Sequence, residues 1–484
     1  MIDTFSNYWP HILFVISLAL GVPAAIHATM TKEEVRSALG WVGIIVLSPV
    51  VGAVIYAIAG INLMRRATLN MQRDGLPAGP RHVMAGASPT DEQIHQQFSG
   101  AFTAMKRLGD TVSRYKLTSG NSIHMLKSGD EAYAAMLEAI AASTRSILLE
   151  TYIFDRDAIG TRFVEALVEA KRRGVDVRIL IDAVGARYSM PSIVGLLRDS
   201  GLSVKVFNGN IIMGLRLPYA NLRTHRKIMV VDGEMAFTGG MNIRSGFSSE
   251  FAGNSSAYDT HFHVSGPLVA DLFQTASEDW RFSGGEPLEG DAWRTVLRDP
   301  EPGILARVVP SGPDKSIESN HRMMMGAFSV AKSHIRIMSP YFLPDRELIS
   351  ALVTAARRGV DIDIAVPSAN NLRLVDSAMT AQFDQLLKYG CRIWRTHGRF
   401  NHSKLMVVDG TWSYIGSSNL DPRSLRLNFE VDIEVLDTGF SEMIESRILA
   451  ALDGALPVEL DKLRARPFVQ RLAERVVWLG SPYL

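Results

Sequence analysis

The chain is predicted to be an α/β protein: two α/β sandwich halves of one duplicated unit, preceded by two transmembrane helices. Three observations carry that prediction. Two apolar stretches, Trp9 to Thr29 and Trp41 to Ile61, each run 21 residues without Asp, Glu, Lys or Arg. From Asn121 onward, short β-branched runs alternate with amphipathic helical patterns. Finally, ELISALVTAARRGVDIDIAV (Glu347 to Val366) repeats the pattern of FVEALVEAKRRGVDVRILI (Phe163 to Ile181), and the two share RRGVD.

The bulk numbers narrow the class. A chain of 484 residues with 47% hydrophobic content can bury several cores. A net charge of +1 argues against a nucleic-acid groove, which needs a strongly basic face. The single cysteine, Cys391, excludes an intramolecular disulfide framework.

Residues 1–64 are expected to hold the two spans, at about 9–29 and 41–61. A helix of 21 residues is roughly 31 Å long, the thickness of a hydrocarbon core. Trp9 and Trp41 stand at span ends, where amphipathic rings favour the interface. No Lys or Arg precedes the first stretch and a second follows it, which argues against a cleaved signal. Lys32 and Arg36 lie between the stretches, Arg65, Arg66, Arg73 and Arg81 follow them, and the N-terminal tail has no basic residue. Two spans place both termini on one side, and the basic cluster makes that side cytoplasmic. The expectation is a multi-pass membrane protein with everything after Ile61 in the cytoplasm.

Residues 65–120 are predicted as a basic juxtamembrane linker and helix. Gly75, Pro77, Gly79 and Pro80 mark a loop, and Pro89 opens a helix with Phe98, Phe102 and Met105 on one face. The segment is either a solvated connector or an attractor of anionic headgroups, at about 1 kcal/mol per charge.

The first half is placed at 121–290 and the second at 300–455. RSILLETY (Arg145 to Tyr152) and VDVRILID (Val175 to Asp182) read as strands, and HIRIMSPYFLPD (His334 to Asp345) matches ILLETYIFDRD. Strand–helix–strand order predicts mostly parallel pairing with helices outside. KIMVVD and KLMVVD suit central strands, with the preceding His and Lys at the strand end.

That end carries the chemistry. His225, Lys227, Asp232, Gly239 and Asn242 recur at His402, Lys404, Asp409, Gly416 and Asn419, every position displaced by 177 residues. On a strand His225 and Lys227 share a face, as do His402 and Lys404, while Arg226 points away. Ammonium and amide groups beside an imidazole suit a tetrahedral oxyanion such as a phosphodiester. Two facing copies supply Lys227, Lys404, Asn242 and Asn419 for the phosphoryl oxygens. They also supply two imidazoles on opposite sides of phosphorus, one to attack and one to protonate the leaving alcohol.

The doubled HxKxxxxD motif with its G-[GS]-x-N turn resembles the phospholipase D superfamily over about residues 120 to 440. The resemblance implies a covalent phosphohistidine, no metal and no cofactor, with His225 as nucleophile and His402 as general acid and then base. The symmetric local sequence does not itself choose between the two histidines. The resemblance also implies a carboxylate after each turn: Asp259 for His225 and Glu430 for His402. Asp232 and Asp409 complete the catalytic motif and are read as holding the strand end and turn. Within the superfamily the chain is similar to bacterial cardiolipin synthases, in its two spans and in GINLMRR, THRKIMVVDG, SPYFLP, NHSKLMVVDG and the final LGSPYL. That similarity implies phosphatidyl transfer between two phosphatidylglycerol molecules, giving cardiolipin and glycerol, at an anionic membrane surface. A phospholipase D-type hydrolase, a transferase using another acceptor lipid, a membrane-tethered nuclease and a non-catalytic lipid scaffold are the competing classes. No nucleic acid is expected as a partner. A homo-oligomer is compatible with the sequence, which does not specify one.

Other features weigh less. His261 and His263 alternate on a strand, but no third ligand stands nearby to make a metal site. Met323, Met324 and Met325 read as helix core. Ile211 to Leu217 is either a lipid-facing lip of the site or a buried loop. Residues 456–484 are predicted as a C-terminal amphipathic helix with Phe468, Leu472, Val476 and Leu479 on one face. Packing on the catalytic core and lying on the membrane are its two readings.

Overall fold

The computed structural model describes residues 2–32, 34–60, 88–208, 222–296 and 303–481. They belong to two compact units, one up to Gly75 and one from Leu76 onward. In the first unit, α1 (Ile2–Thr31) contains the stretch Tyr8–Thr31. Among the described residues this is the one helix long and apolar enough to cross a membrane. The second apolar stretch is not a single helix. α2 (Val35–Leu47) stops at Ser48, α3 (Pro49–Ile55) follows, and a π-helical turn covers Tyr56–Gly60. Pro49 causes the break. It has no N–H to donate and it pushes the preceding residue out of the helical region, leaving Ser48 at φ −144°, ψ 78°. Helices of 13 and 7 residues rise only roughly 20 and 10 Å.

The second unit is built on one sheet. Its first half supplies β1 (Thr118–Leu126), β2 (Ser146–Thr151), β3 (Asp176–Asp182), β4 (Ser203–Phe207), β5 (Arg223–Thr224), β6 (Ile228–Val231), β7 (Met235–Gly239) and β8 (His261–Ser265). The second half supplies β9 (Ile304–Ser311), β10 (His334–Met338), β11 (Asp361–Pro367), β12 (Arg392–Thr396), β13 (Leu405–Val408), β14 (Trp412–Gly416), β15 (Asn428–Leu436) and β16 (Leu456–Pro457). The order is β16-β12-β11-β10-β13-β14-β15-β9-β1-β8-β7-β6-β2-β3-β4, with β5 beside β15.

Pairing is mixed rather than mostly parallel. β2–β3–β4 and β10–β11–β12 are parallel, and the motif strands are antiparallel to their neighbours. The sequence reason is the Asp-Gly pair that ends each motif strand. Asp232 and Gly233 lie at φ 54° and 63°, and Asp409 and Gly410 at 51° and 60°. Positive φ at both central positions is the type I′ turn, whose twist returns the chain as an antiparallel hairpin. β9 pairs with both β15 and β1 and so joins the halves. The core is shared too: Leu148, Val230 and Phe262 of the first half pack in one cluster with Leu405, Val407 and Ile433 of the second.

Two terminal expectations need correction. Before the sheet, Thr90 caps the helix Asp91–Gln97 in a reciprocal box with Gln93, so Pro89 precedes the cap instead of opening the helix. With the next helix, Gly100–Val112, it buries Ile94, Phe102 and Met105, so residues 91–112 pack on the body rather than forming a solvated connector; the loop expected at Gly75 to Pro80 lies outside the described residues. At the other end, Pro467 divides the expected helix into Leu460–Ala465 and Phe468–Leu479. The latter turns Val477 and Trp478 toward the core and leaves Phe468, Leu472, Val476 and Leu479 exposed. The helix packs on the body, but through the face opposite to its apolar stripe. Met323 and Met324 are core residues, as read. Ile211 to Leu217 lies outside the described residues.

Candidate active site

The two motifs converge on one pocket of about 510 Å³ lined by His225, His402, Asn242 and Asn419. The convergence is made by strand ends that cross between halves. His225 N–H donates to Phe429 O at 2.8 Å, where β5 runs beside the start of β15. His402 N–H donates to Tyr258 O at 2.7 Å, at a bridge between Tyr258 and Asn401. The residue after each acceptor is a carboxylate from the opposite half. His225 Nδ1 lies 3.0 Å from Glu430 Oε2, and His402 Nδ1 lies 2.8 Å from Asp259 Oδ2. The expected partnership of Asp259 with His225, and of Glu430 with His402, is therefore reversed. Spacing along the chain places each carboxylate after its own motif, but the strand it begins feeds the other motif's pocket wall.

With Nδ1 engaged, Nε2 of each ring is the nitrogen left for a ligand. Each ring also has a tyrosine at its edge from its own half: Tyr152 at 5.1 Å from His225 and Tyr341 at 6.0 Å from His402, centroid to centroid. Asn242 accepts from Ile153 N at 3.2 Å through Oδ1, which leaves its amide N–H groups for an anion. Gly240 explains the small residue in the turn, since a Cβ there would stand 2.4 Å from Asp259 Oδ1.

Burial dominates the electrostatics. It pushes Lys227 down to about 7 and Lys404 to about 8. Lys227 Nζ donates to His225 O at 2.6 Å, and Lys404 Nζ lies 3.0 Å from His402 Nδ1. Burial, with the lysines beside them, drives His402 down to about 4 and His225 well below the ordinary imidazole range, so both rings are neutral in the free site. The carboxylates differ. Burial works against the charge on Asp259, yet Lys404 and His402 hold it below its ordinary value. Glu430 is raised by burial, which outweighs Lys227 and the donors Ser417, Ser424 and Asn428.

Asp232 and Asp409 are not in the pocket. Asp232 accepts from the N–H groups of Thr144, Arg145 and Ser146, and Asp409 from those of Lys332, Ser333 and His334. Each ties its type I′ turn to the start of a neighbouring strand. Their place in the catalytic set is corrected to a structural one, because the strand carries them to the end opposite the histidine. His261 and His263 sit in β8, where burial lowers His261 to about 4 and His263 stacks on His124. Among the described residues, the group with metal-ligand geometry is His321, Asp345 and Glu347, outside the pocket. There Asp345 also caps the helix Arg346–Arg357 and faces Arg426 at 3.6 Å.

Sequence reading missed the supporting residues. Arg226, turned away from the pocket, is buried against Asp279 and donates through Nε to Glu430 O at 2.9 Å. Ser417 and Ser424 fix the two oxygens of Glu430 at 2.6 and 2.7 Å. Arg244 and Arg423 line the pocket. The arginine in NIRS and in NLDPRS, after each motif asparagine, was the available signal.

A duplicated α/β body whose halves exchange carboxylates around two neutral imidazoles and two lysines defines a histidine-pair centre for phosphodiester transfer. Family models agree: residues 136–264 and 324–450 match "Cardiolipin synthase, PLD-like domain", and residues 19–60 match "Phospholipase_D-nuclease N-terminal". Cardiolipin synthase A of Pseudomonas fluorescens is 30% identical over 99% of both chains. Cardiolipin synthase of Alkalihalophilus pseudofirmus is 30% identical over 92% of this chain and 88% of its own. In fold, the chain is similar to the crystal structure of phosphatidylserine synthase from Haemophilus influenzae, with a TM-score of 0.59 at 16% identity, over 78% of this chain and 100% of that one. The chain belongs to the cardiolipin synthase family, phosphatidyltransferases of the phospholipase D superfamily.

Proposed function

We propose that the chain joins two phosphatidylglycerol molecules into cardiolipin and glycerol. His225 Nε2 attacks phosphorus of the first lipid, the bond from phosphorus to the glycerol oxygen breaks, and that oxygen takes a proton from His402. His402 then removes a proton from a hydroxyl of the second phosphatidylglycerol, whose oxygen displaces His225 and forms cardiolipin. Lys227, Lys404, Asn242 and Asn419 hold the phosphoryl oxygens. Once the anion is bound, its charge restores the protons that burial strips from the lysines and from His402.

The carrying observation is the crossed pair of buried dyads opening on one pocket. The order of roles rests on their difference: an ionised Asp259 supports a protonated His402, the acid of the first step, whereas the raised Glu430 favours a neutral His225. The apolar helix Tyr8–Thr31 and the bacterial relatives support a membrane-anchored enzyme, with Arg65, Arg66, Arg73 and Arg81 favouring a cytoplasmic body.

The test is product analysis of the purified full chain with phosphatidylglycerol. Cardiolipin and glycerol in equal amounts are expected. Phosphatidate as sole lipid product reassigns the chain as a hydrolase. A mixed product formed with an added phosphatidylethanolamine widens the acceptor, and DNA cleavage without lipid turnover removes the lipid reading.

A further inference from the structure

We infer that the second apolar stretch is a re-entrant hairpin reaching half-way into the bilayer, so that the chain crosses the membrane once. The residues ahead of Tyr8 and the catalytic body then lie on opposite faces. This rests on the reading of α1 as a membrane-crossing helix, and it replaces the two-span topology expected from composition.

The base and the tip of the hairpin fix its depth. At the base, Lys32 Nζ donates to Gly60 O at 2.5 Å and His27 Nδ1 lies 2.8 Å from Tyr56 Oη, so α2 begins and the π-helical turn ends at the same level of α1. Trp41 packs edge-on against Tyr56 at 5.2 Å, at that same level. The tip is Ser48–Pro49. A Cβ at Gly21 would stand 2.9 Å from Pro49 Cβ, so the tip meets α1 at Gly21. Gly21 is ten residues from Thr31, roughly 15 Å along the helix, against a hydrocarbon core of about 30 Å. The close return of the chain needs Gly52, where a Cβ would lie 2.6 Å from Ile44 O.

The chemistry of the tip agrees. A turn that emerged into water would be polar, but Val46 and Leu47 are 66% and 89% exposed and Pro49 follows at once. No charged residue occurs between Arg36 and Arg65. Leu13, Phe14 and Leu18 of α1, with Val46 and Pro49 of the hairpin, line an apolar groove, which suits acyl chains. Backbone groups at the break have partners, since Ser48 N–H donates to Ile44 O and Gly52 N–H to Ser48 O.

Charge distribution supplies an independent argument. Two full spans divide the flanking basic residues, with Lys32 and Arg36 on one face and Arg65, Arg66, Arg73 and Arg81 on the other. One crossing with a half-depth hairpin gathers all six on a single face, and leaves the N-terminal tail, which has none, on the opposite face. The positive-inside rule is then obeyed without exception.

Single cysteines test this in the full-length chain, because native Cys391 is buried. One is inserted after Met1, one is Ser48→Cys, and one is Lys462→Cys, on an exposed helix of the body. A membrane-impermeant maleimide is applied to sealed vesicles of each orientation, using variants that still form cardiolipin. Labelling of the inserted cysteine from the face opposite to Lys462→Cys is expected, with Ser48→Cys labelled only after detergent. Labelling of the inserted cysteine and Lys462→Cys from one face, or of Ser48→Cys from the face opposite the body, overturns the hairpin. Release of the chain by alkaline carbonate would instead remove the crossing helix on which the inference rests.

Discussion

The two halves of the active site carry one motif in two electrostatic settings. His402 faces Asp259, which Lys404 keeps charged against the cost of burial. His225 faces Glu430, raised by burial and already holding Ser417 and Ser424 on its two oxygens. The arginines differ in the same sense. Arg244 is paired with Asp155 at 3.1 Å, whereas the guanidinium of Arg423 has no hydrogen-bond or ion-pair partner among the described residues. Duplication thus supplies position, and the residues around each copy supply role.

The sharpest way to break this comparison is to remove one imidazole at a time. His225→Ala and His402→Ala should each lower phosphatidyl transfer by roughly 10³-fold or more, as for groups that act as a unit. Radiolabelled phosphatidylglycerol should leave covalent phosphorus on His225 in the His402→Ala protein; label on His402 in the His225→Ala protein exchanges the roles. Next comes the carboxylate pair. Asp259→Asn should cost on the order of 10²–10⁴ in kcat, because it leaves His402 without its charged partner. Glu430→Gln should cost less if the ring it orients works as a neutral nucleophile, as proposed. Equal losses in the two variants would erase the asymmetry.

Asp232→Ala bears on structure instead of chemistry. Losing the acceptor of three N–H groups should destabilise the body by about 1–3 kcal/mol per group left buried and unpaired, read as a lower Tm, with residual activity per folded molecule little changed. A smaller effect is expected with pH. A tetrahedral oxyanion such as tungstate raises the lysine pKa values on binding, so its affinity is full while the free lysines are protonated. It should fall as pH rises through about 7 and about 8, measured by calorimetry. The smallest change is expected from Arg423→Gln, a several-fold rise in KM for phosphatidylglycerol with kcat retained, as fits an arginine that binds phosphate without bonding to the dyads.

Much of this was legible in the sequence because it is local. Motif spacing set each lysine beside its histidine, the Asp-Gly pairs set the turns, and the repeated RRGVD segments marked the halves. What failed depended on contacts between distant segments. Nothing near Asp259 reveals that its neighbour Tyr258 bridges Asn401 and so delivers the carboxylate to His402. The apolar stripe at Phe468 was read correctly as a stripe, but helix periodicity does not say which face a partner covers. The second apolar stretch was judged by its lack of charge, which does not reveal that Pro49 divides it into two short helices.

The crossed dyads also bear on ancestry. A protein half this length could build such a site only by meeting a second copy across a two-fold axis, and each copy's carboxylate would then serve the other's histidine. Identical chains allow no difference between the two pairs. Joining the copies in one polypeptide lifted that constraint, and let a glutamate stand where its counterpart is an aspartate. The proposed division of labour between acid and nucleophile would, in this sense, be a property of the peptide link between the halves.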